Sequence, residues 1–351
     1  MVQNKTLNFK KVPVGYPVPG QDLAIETSEF DVNQAPPQGG ITVKIYYVSF
    51  DPYQRGRMRP AEVKSYSPPY ELNGPINNSA VAKVLKSDSN KFKEGDLIIC
   101  MLPTAEYASV PQQLVDKTAR KIENPFNLDP RMFLAALGMP GLTAYSSYHE
   151  IGKPKKGETI FVSAASGAVG QMVGQLAKHD GLTVIGSVGS DEKLNFILND
   201  LEFDAGFNYK KEKPADALKR LAPNGVDIYY ENVGGEHLDA ALEAMNNFGR
   251  IVGCGMVSQY NKPPAQQYAI RNIINLVSKR LTLRGFIVGD VDMGPKYFAE
   301  HQKNVQQWVH DGSLKVQMSQ TDGIDKAADG FLGMLKGENF GKAVLKVADL
   351  D

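Results

Sequence analysis

A turn of small residues is the part of this sequence best suited to hold a ligand. The apolar strand Ile160–Val162 runs through the turn into an amphipathic helix, with Ala164, Gly167 and Gly170 in the spacing A-x-x-G-x-x-G. Small residues let a backbone approach a pyrophosphate, and the amino end of the helix offers unpaired N–H groups. Ser166 is a candidate N-cap. The turn predicts dinucleotide binding; a turn that only reverses the chain is the alternative.

The residues after the second strand of the same region bear on which dinucleotide is bound. An NAD site normally has Asp or Glu there to hold the ribose hydroxyls, but this chain has small residues at those positions. Lys193 could pair with a 2′-phosphate, with Ser190 and Tyr209 as further donors. In the alternative, Lys193 is solvated and Asp191 or Glu192 binds the ribose. We favour NADP.

Side chains that could bind a metal or act as a nucleophile are few and scattered. Cys100 and Cys254 are the two cysteines, whereas the structural zinc of a dehydrogenase uses four. We therefore predict no metal site, and direct alcohol oxidation would lack the zinc that stabilises an alkoxide. Cys254 follows an apolar strand and is either a small packing residue or a nucleophile. The histidines show no ligand spacing: His149, His179, His237, His301 and His310.

The sequence predicts two regions with different patterns of secondary structure. Before about residue 125, short strands alternate with Pro/Gly turns, as in Ile41–Tyr47, Val81–Leu85 and Leu97–Met101. The apolar residues of Ile41–Tyr47 fall at every second position, which predicts a half-buried strand. An antiparallel β domain is the simplest interpretation.

From about residue 159, apolar strands alternate with segments of helical period. Strands joined through helices require crossover connections and therefore a parallel, doubly wound sheet. The tail after about residue 300 is too short for a core of its own, so we expect it to rejoin the first domain. We predict one domain from residues 1–127 with 304–351, and another from 128–303. Six strands are predicted in the second domain: Ile160–Val162, Thr183–Ile185, Ala205–Tyr209, Val226–Tyr230, Arg250–Gly253 and Leu281–Val288.

Composition excludes several classes of protein. The 351 residues carry 39 basic and 39 acidic side chains, so no excess charge points to nucleic acid or to an anionic membrane. Gly138 and Pro140 interrupt Met132–His149, the longest uncharged stretch, which excludes a continuous membrane helix there. Met1–Lys11 has no apolar signal segment. We expect a reducing, cytoplasmic location.

These motifs together resemble a known family, the zinc-independent medium-chain dehydrogenase/reductases. The similar branch contains leukotriene B4 12-hydroxydehydrogenase/prostaglandin reductase and the NADPH-dependent alkenal double-bond reductases. Asp51–Tyr53, Arg55 and Arg57 fit the same branch. The segments that carry the resemblance are Leu137–Tyr145, Val162–Gly170, Gly189–Lys193, Phe207–Lys210, Glu231–Gly235, Cys254–Tyr260 and Met334–Lys342.

The resemblance implies an α/β fold. A GroES-like β domain, completed by the C-terminal tail, accompanies a doubly wound parallel Rossmann domain, with the active site in the cleft. It also implies which residues bind NADP(H): Met139, Pro140, Gly167, Ala168, Val169, Gly170, Lys193, Tyr209, Asn232, Cys254, Gly255, Ser258, Tyr260, Phe286, Val288 and Asn339.

The activity that the resemblance implies is NADPH-dependent reduction of the C=C bond of an enal or enone. Tyr260 would fix the ribose hydroxyl that donates to the enolate oxygen, and Tyr53 would be a pocket wall or donor. Packing alone is the other interpretation of Tyr260. A quinone reductase of the same superfamily and a non-catalytic NADPH-binding protein are the alternative functions. A homodimer joined through Leu281–Val288 is a further expectation.

Overall fold

The computed structural model describes residues 1–350, which form two compact units. The first unit contains Met1–Leu134 and the segment from Met318 onwards; the second is Ala135–Gln317. The sequence placed these divisions at 127/128 and 303/304. The latter position falls inside Gly294–His310, a helix that packs on Met139–Ser147 within the second unit.

The strands are numbered in chain order. Among residues 1–350 they are β1 Val2–Phe9, β2 Leu23–Phe30, β3 Ile41–Ser49, β4 Asn77–Ser87, β5 Leu97–Pro103, β6 Tyr107–Val110, β7 Arg120–Lys121, β8 Thr159–Val162, β9 Thr183–Val188, β10 Ala205–Asn208, β11 Val226–Glu231, β12 Met245–Gly253, β13 Thr282–Gly285, β14 Met318–Asp322 and β15 Lys342–Lys346.

The helices are numbered in the same way. They are α1 Tyr53–Arg57, α2 Gln112–Thr118, α3 Met139–Ser147, α4 Gly170–His179, α5 Asp191–Asn195, α6 Pro214–Leu221, α7 Glu236–Ala244, α8 Asn275–Ser278, α9 Gly294–His310 and α10 Ala327–Leu335. Short 3₁₀ segments lie at Pro130–Leu134, Val257–Gln259, Pro264–Gln266, Asn272–Ile274 and Ile324–Lys326, and π-helical turns at Tyr148–Gly152 and Phe196–Asp200.

A seven-stranded sheet organises the first unit. Its order is β14-β15-β3-β4-β5-β7, β6 pairs with β3, and every pair is antiparallel except β14 with β15. Strand β15 joins the sheet beside β3, which confirms that the C-terminal tail completes the N-terminal domain. β1 and β2 form a separate antiparallel pair.

Strand β3 differs from its prediction. Thr42 and Tyr46 lie on the face expected to be solvated, but both are buried. β3 is central, with β4 on one side and β15 and β6 on the other. Strands pair with β3 along both of its edges, and the burial of Thr42 and Tyr46 shows that its second face is covered as well, which a local pattern of alternation does not reveal.

The second unit contains the predicted parallel sheet. Its six strands follow the order β10-β9-β8-β11-β12-β13, and every neighbouring pair is parallel. This is a doubly wound sheet whose strand order reverses between β8 and β11. Ligands of such sheets bind at the carboxyl ends of the strands beside this reversal, so the fold selects the region after Val162 and Glu231.

Strand β13 is shorter than predicted. It ends at Gly285, and the chain then turns, with the carboxylate of Asp290 accepting a bond from the Ile287 N–H at 2.9 Å. Phe286 and Val288 therefore lie beyond the strand. Among residues 1–350, no helix has both the length and the apolar character needed to cross a membrane.

Candidate active site

The turn between β8 and α4 has the close packing that its sequence predicts. Ala164 adopts a φ of 50°, and its carbonyl oxygen accepts a bond from the Gly167 N–H at 2.9 Å. A Cβ on Gly170 would stand 2.4 Å from that same oxygen, so the backbone excludes any side chain there. Ser166 is not the N-cap, since α4 begins at Gly170 and Val169 holds the cap position.

The amino end of α4 is suited to a diphosphate. Val169 has an apolar side chain and makes no side-chain capping bond, while the N–H groups of Gln171 and Met172 donate to the Gly167 and Val169 carbonyls. The helix dipole favours an anion at this end. Gly167 and Gly170 keep the cradle clear of side chains, and the observed geometry therefore fits a pyrophosphate.

The end of β9 is suited to a further phosphate. Asp191 is already occupied, because it pairs with Lys211 and accepts a bond from Asn208 at 2.9 Å. Lys193 is half-buried, and burial followed by the charge of Lys210 lowers its pKa. Two nearby ammonium groups are best neutralised by an anion of two charges, so this corner fits a 2′-phosphate better than a neutral ribose. The observed pairing of Asp191 disfavours Asp191 as the ribose ligand and does not bear on Glu192.

Tyr209 adjoins this corner. Its hydroxyl lies 2.9 Å from the position that a Cβ on Gly189 would take, so only glycine there lets the ring approach. The ring also meets His237 edge to face, with centroids 5.3 Å apart. Tyr209 is 42% exposed, so part of the residue is accessible to a ligand.

Asn232 and the residues after it are held in place by Ser163 and Glu231, to which the sequence alone assigned no role. Ser163 Oγ accepts a bond from the Asn232 N–H at 2.9 Å, and the Asn232 amide donates to the Ser163 carbonyl at 2.8 Å. Glu231 is fully buried, and its Oε1 accepts bonds from Tyr229, Val233 and Gly234. A carboxylate at the end of an apolar strand was the signal that marks this position.

The segment Cys254–Tyr260 is fastened to the same place. The N–H groups of Cys254 and Gly255 both donate to the Glu231 carbonyl at 3.0 Å. Ser258 Oγ donates to the Val233 carbonyl at 2.6 Å. Glu231 therefore shapes two loops, one through its side chain and the other through its carbonyl.

Tyr260 folds back over this segment. Its hydroxyl accepts a bond from the Met256 N–H at 3.2 Å, and a Cβ on Gly255 would stand 3.0 Å from it. The ring remains 37% exposed. Tyr260 is thus held in position by a backbone bond while part of the residue stays exposed.

Cys254 has the properties of a packing residue. Burial raises the pKa of its thiol to about 12, and a bond from Tyr230 only partly offsets this. A thiol with that pKa is almost entirely protonated at neutral pH and is a poor nucleophile. This supports the packing interpretation of Cys254.

The remaining predicted residues of the second unit lie at element ends. Met139 begins α3, where Pro140 is buried in the first turn and Met139 is half-buried. Phe286 and Val288 follow β13 and are also half-buried. The Val288 carbonyl accepts a bond from the Gly294 N–H at 2.8 Å, which ties this turn to the start of α9.

Two predicted residues, Tyr53 and Asn339, belong to the first unit. Tyr53 begins α1 and donates its hydroxyl proton to Asn78 Oδ1 at 2.7 Å. Asn339 lies just before β15, and its amide donates to the Gly341 carbonyl at 2.6 Å. The other predicted site residues all belong to the second unit.

Metal ligands are not gathered anywhere in residues 1–350. Within that range no three His, Cys, Asp or Glu side chains are placed so that they could hold a metal ion. The polar groups near the predicted site are hydroxyls, amides, ammonium groups and the carboxylates of Asp191 and Glu231, and both carboxylates accept hydrogen bonds from protein donors.

Comparison with known sequences agrees with both units. Residues 5–118 match a family described as the N-terminal domain of oxidoreductase, and residues 168–304 match one described as zinc-binding dehydrogenase. The NADP-dependent oxidoreductase RED1 of Cochliobolus heterostrophus is 54% identical over 351 residues, covering 100% of this chain and 99% of that protein. The chain belongs to the zinc-independent branch of the medium-chain dehydrogenase/reductases. It is an NADP-dependent oxidoreductase.

Other members of this family are similar over nearly their whole length. The NADP(+)-dependent 2-alkenal reductase of Nicotiana tabacum is 41% identical, covering 99% of this chain and 98% of that protein. The structure of CurA from Vibrio vulnificus in complex with NADPH superimposes with a TM-score of 0.90 at 32% identity. That match covers 99% of this chain and 100% of CurA.

Proposed function

We propose that this medium-chain dehydrogenase/reductase reduces the C=C bond of α,β-unsaturated aldehydes or ketones with NADPH. The observation that carries the proposal is the full-length similarity to the tobacco 2-alkenal reductase. The donor set is consistent with it, because reduction of an activated C=C bond requires hydrogen-bond donors at the carbonyl oxygen.

The predicted residues fall into two groups, one that binds the cofactor and one that takes part in catalysis. Gly167, Ala168, Val169 and Gly170 hold the pyrophosphate at the amino end of α4. Lys193 and Tyr209 hold the 2′-phosphate, which distinguishes NADPH from NADH. Asn232 and the segment Cys254–Tyr260 lie beside the nicotinamide half, with Met139, Pro140, Phe286, Val288 and Asn339 completing the cofactor site.

When bound, NADPH supplies a hydride for the β-carbon of the substrate. The electron pair of the C=C bond would shift to the bond between the α-carbon and the carbonyl carbon, and the π pair of the C=O bond would shift to oxygen. The resulting enolate oxygen requires a hydrogen-bond donor. Tyr260 would orient the donor, which is the ribose hydroxyl of the bound cofactor. A proton from water completes the saturated product at the α-carbon, since an ordinary tyrosine releases its proton slowly at neutral pH.

Turnover with two substrate classes tests this activity. Purified enzyme and NADPH are mixed with a 2-alkenal and, separately, with a quinone, and the absorbance of the reduced cofactor is followed. The proposal predicts oxidation of NADPH with the alkenal. Oxidation with the quinone only would replace it with a quinone reductase, and tight binding with no turnover would indicate a non-catalytic protein.

We also propose a homodimer joined through β13. This strand has β12 on one side, and among residues 1–350 it pairs with no other strand. Exposed apolar side chains surround it, with Val277 72% and Val291 85% exposed. An open edge beside apolar surface favours strand pairing with a second copy. Light scattering should give twice the chain mass, and Leu283→Arg should give one chain mass.

A further inference from the structure

Two glutamines on one face of α4 bind the chain segment that leaves the second unit. The Gln171 side chain donates to the Gln317 carbonyl at 3.1 Å and accepts a bond from the Gln317 N–H at 2.8 Å. One helical turn later, the Gln175 side chain donates to the Lys315 carbonyl at 2.9 Å and accepts a bond from the Lys315 N–H at 2.8 Å. Gln317 is the last residue of the second unit, and β14 of the first unit begins at Met318. Residues 315–317 are called the connecting segment below.

The spacing of the two glutamines explains why both pairs of bonds form at once. Residues i and i+4 of a helix are about 6 Å apart along its axis, because each residue rises by about 1.5 Å. Residues i and i+2 of an extended chain are about 6.6 Å apart, and their backbone groups face the same side. The two side-chain amides of α4 therefore bind the connecting segment much as the edge of a neighbouring strand would.

Gln171 also belongs to the part of α4 that lies beside the glycine turn. Its backbone N–H donates to the Gly167 carbonyl at 3.0 Å, and its side chain is buried. Its carbonyl accepts a further bond from the Gln175 amide at 2.9 Å. A continuous set of hydrogen bonds therefore runs from the turn proposed to hold the diphosphate, through both glutamines, to the connecting segment.

An anion at the amino end of α4 would act on the first member of this set. It would order the first turn of the helix, where its charge interacts with the helix dipole. Gln171 lies in that turn, so its side chain would leave Gln317 less readily. Release of the buried amide would also leave its polar atoms without partners, which is unfavourable.

We propose that Gln171 and Gln175 are positioning residues that couple NADPH binding to the attachment of the connecting segment. The inference rests on the proposed placement of the diphosphate at α4, and it is independent of which substrate is reduced. Coupling of this kind is reciprocal. The factor by which NADPH favours the attached segment equals the factor by which the attached state binds NADPH more tightly, typically about 5- to 150-fold.

Hydrogen exchange of the full chain, followed by nuclear magnetic resonance, tests the coupling. NADPH should slow exchange of the Lys315 and Gln317 amide protons by about fivefold or more. The Ser313 amide proton bonds to Asp311 instead, so its exchange should change by less than about twofold. Unchanged exchange of the Lys315 and Gln317 protons would overturn the proposal.

The same experiment separates this inference from the placement of the diphosphate. The amide protons of Gln171 and Met172 form hydrogen bonds in the first turn of α4. If NADPH slowed the exchange of these two protons but not of those in the connecting segment, the coupling alone would be wrong. If it slowed none of them, the diphosphate would bind elsewhere and the coupling would be wrong as well.

Replacing both glutamines by methionine keeps the length of each side chain and removes all four bonds to the connecting segment. The double variant Gln171→Met, Gln175→Met should bind NADPH more weakly by the factor by which NADPH slows exchange in the native protein, because its segment is always released. Calorimetric titration measures this factor independently. Slowed exchange in the native protein together with native affinity in the variant would contradict the coupling.

Gln175→Met alone covers the case in which the double variant does not fold. Gln175 is half-buried and lies one turn away from the amino end of α4, so an effect on NADPH does not come from contact with the diphosphate. The variant should lower NADPH affinity by at least about twofold, and NADPH should no longer slow exchange of the Lys315 proton.

The matched control is Gln307→Met in α9. Gln307 is exposed, and its amide donates to the Asp311 carboxylate at 3.4 Å. This variant should keep the native NADPH affinity and the native effect of NADPH on exchange. If Gln175→Met bound NADPH as tightly as Gln307→Met does, the coupling would be overturned.

Discussion

The two units hold their functional residues by different means. In the second unit, the backbone of one short turn and one helix end forms the proposed anion site, and Gly167 and Gly170 keep it free of side chains. In the first unit, Tyr53 is positioned by side chains from α1, β4 and β15, among them the buried pair of Asp51 and Lys342. The backbone site is built from residues close together in sequence and depends on the absence of side chains at its glycines. The side-chain site is assembled from segments distant in sequence and depends on each of the side chains in the network.

The largest effect that would sharpen this contrast is expected at the buried ion pair. Lys342→Met leaves Asp51 charged and without its cation, and breaking one partner of such a pair costs about 3–5 kcal/mol of unfolding free energy. Denaturant unfolding with probes in each unit measures this. Replacing Asp51 by Leu as well should recover much of the loss, since the unpaired charge is then gone.

The corresponding change in the second unit is Gly170→Val. Its side chain would overlap the Ala164 carbonyl and displace the backbone of the turn. We therefore expect NADPH affinity to fall about tenfold or more, which corresponds to at least about 1.4 kcal/mol of binding free energy. Calorimetric titration gives the affinity. Gly289→Ala, where an added Cβ meets nothing within 4 Å, is the matched control. Equal losses in both variants would show that the turn has no special role.

A smaller and more selective loss is expected from Lys193→Ala. A charge-assisted bond to phosphate is worth about 1.5–3 kcal/mol, so NADPH affinity should fall about tenfold to a hundredfold. NADH affinity should change by less than about twofold, because NADH lacks the 2′-phosphate. Lys219→Ala, which removes an exposed lysine of α6, is the control.

The pH dependence of this preference follows from the lowered pKa of Lys193. Burial and Lys210 both favour the neutral amine, so Lys193 loses its charge at a lower pH than an ordinary lysine. The preference for NADPH should therefore decline as the pH rises and begin to do so before ordinary lysines titrate. If the ratio of NADPH affinity to NADH affinity stayed constant through that pH range, the 2′-phosphate would not bind at Lys193. An equal loss of NADPH and NADH binding in Lys193→Ala would lead to the same conclusion.

The smallest effect is expected from Tyr260→Phe. Loss of an orienting hydrogen bond should lower kcat about tenfold or less and leave NADPH affinity nearly unchanged. Stopped-flow reduction of a 2-alkenal and a binding titration separate the two quantities. An unchanged kcat would reduce Tyr260 to a packing residue.

The same contrast explains how much could be predicted from the sequence. The six parallel strands and the glycine turn were predictable because hydrophobic period and residue size act over a few positions. The roles of Ser163 and Glu231 were not, because they depend on β8 and β11 being neighbours in the sheet.

Tyr53 shows the limit most clearly. Its motif was visible, but its hydrogen bond to Asn78 depends on a residue of β4, a strand distant in sequence. The burial of β3 on both faces and the pairing of Asp191 with Lys211 likewise arise from contacts between segments that no local period records.

Product analysis shows directly whether the enzyme reduces the C=C bond or the C=O bond of a 2-alkenal. Enzyme, NADPH and a 2-alkenal are incubated to completion, and the products are identified by mass spectrometry against authentic standards. We expect one saturated aldehyde for each NADPH oxidised, with the C=O bond intact. Formation of the unsaturated alcohol, or no loss of the alkenal, would contradict it.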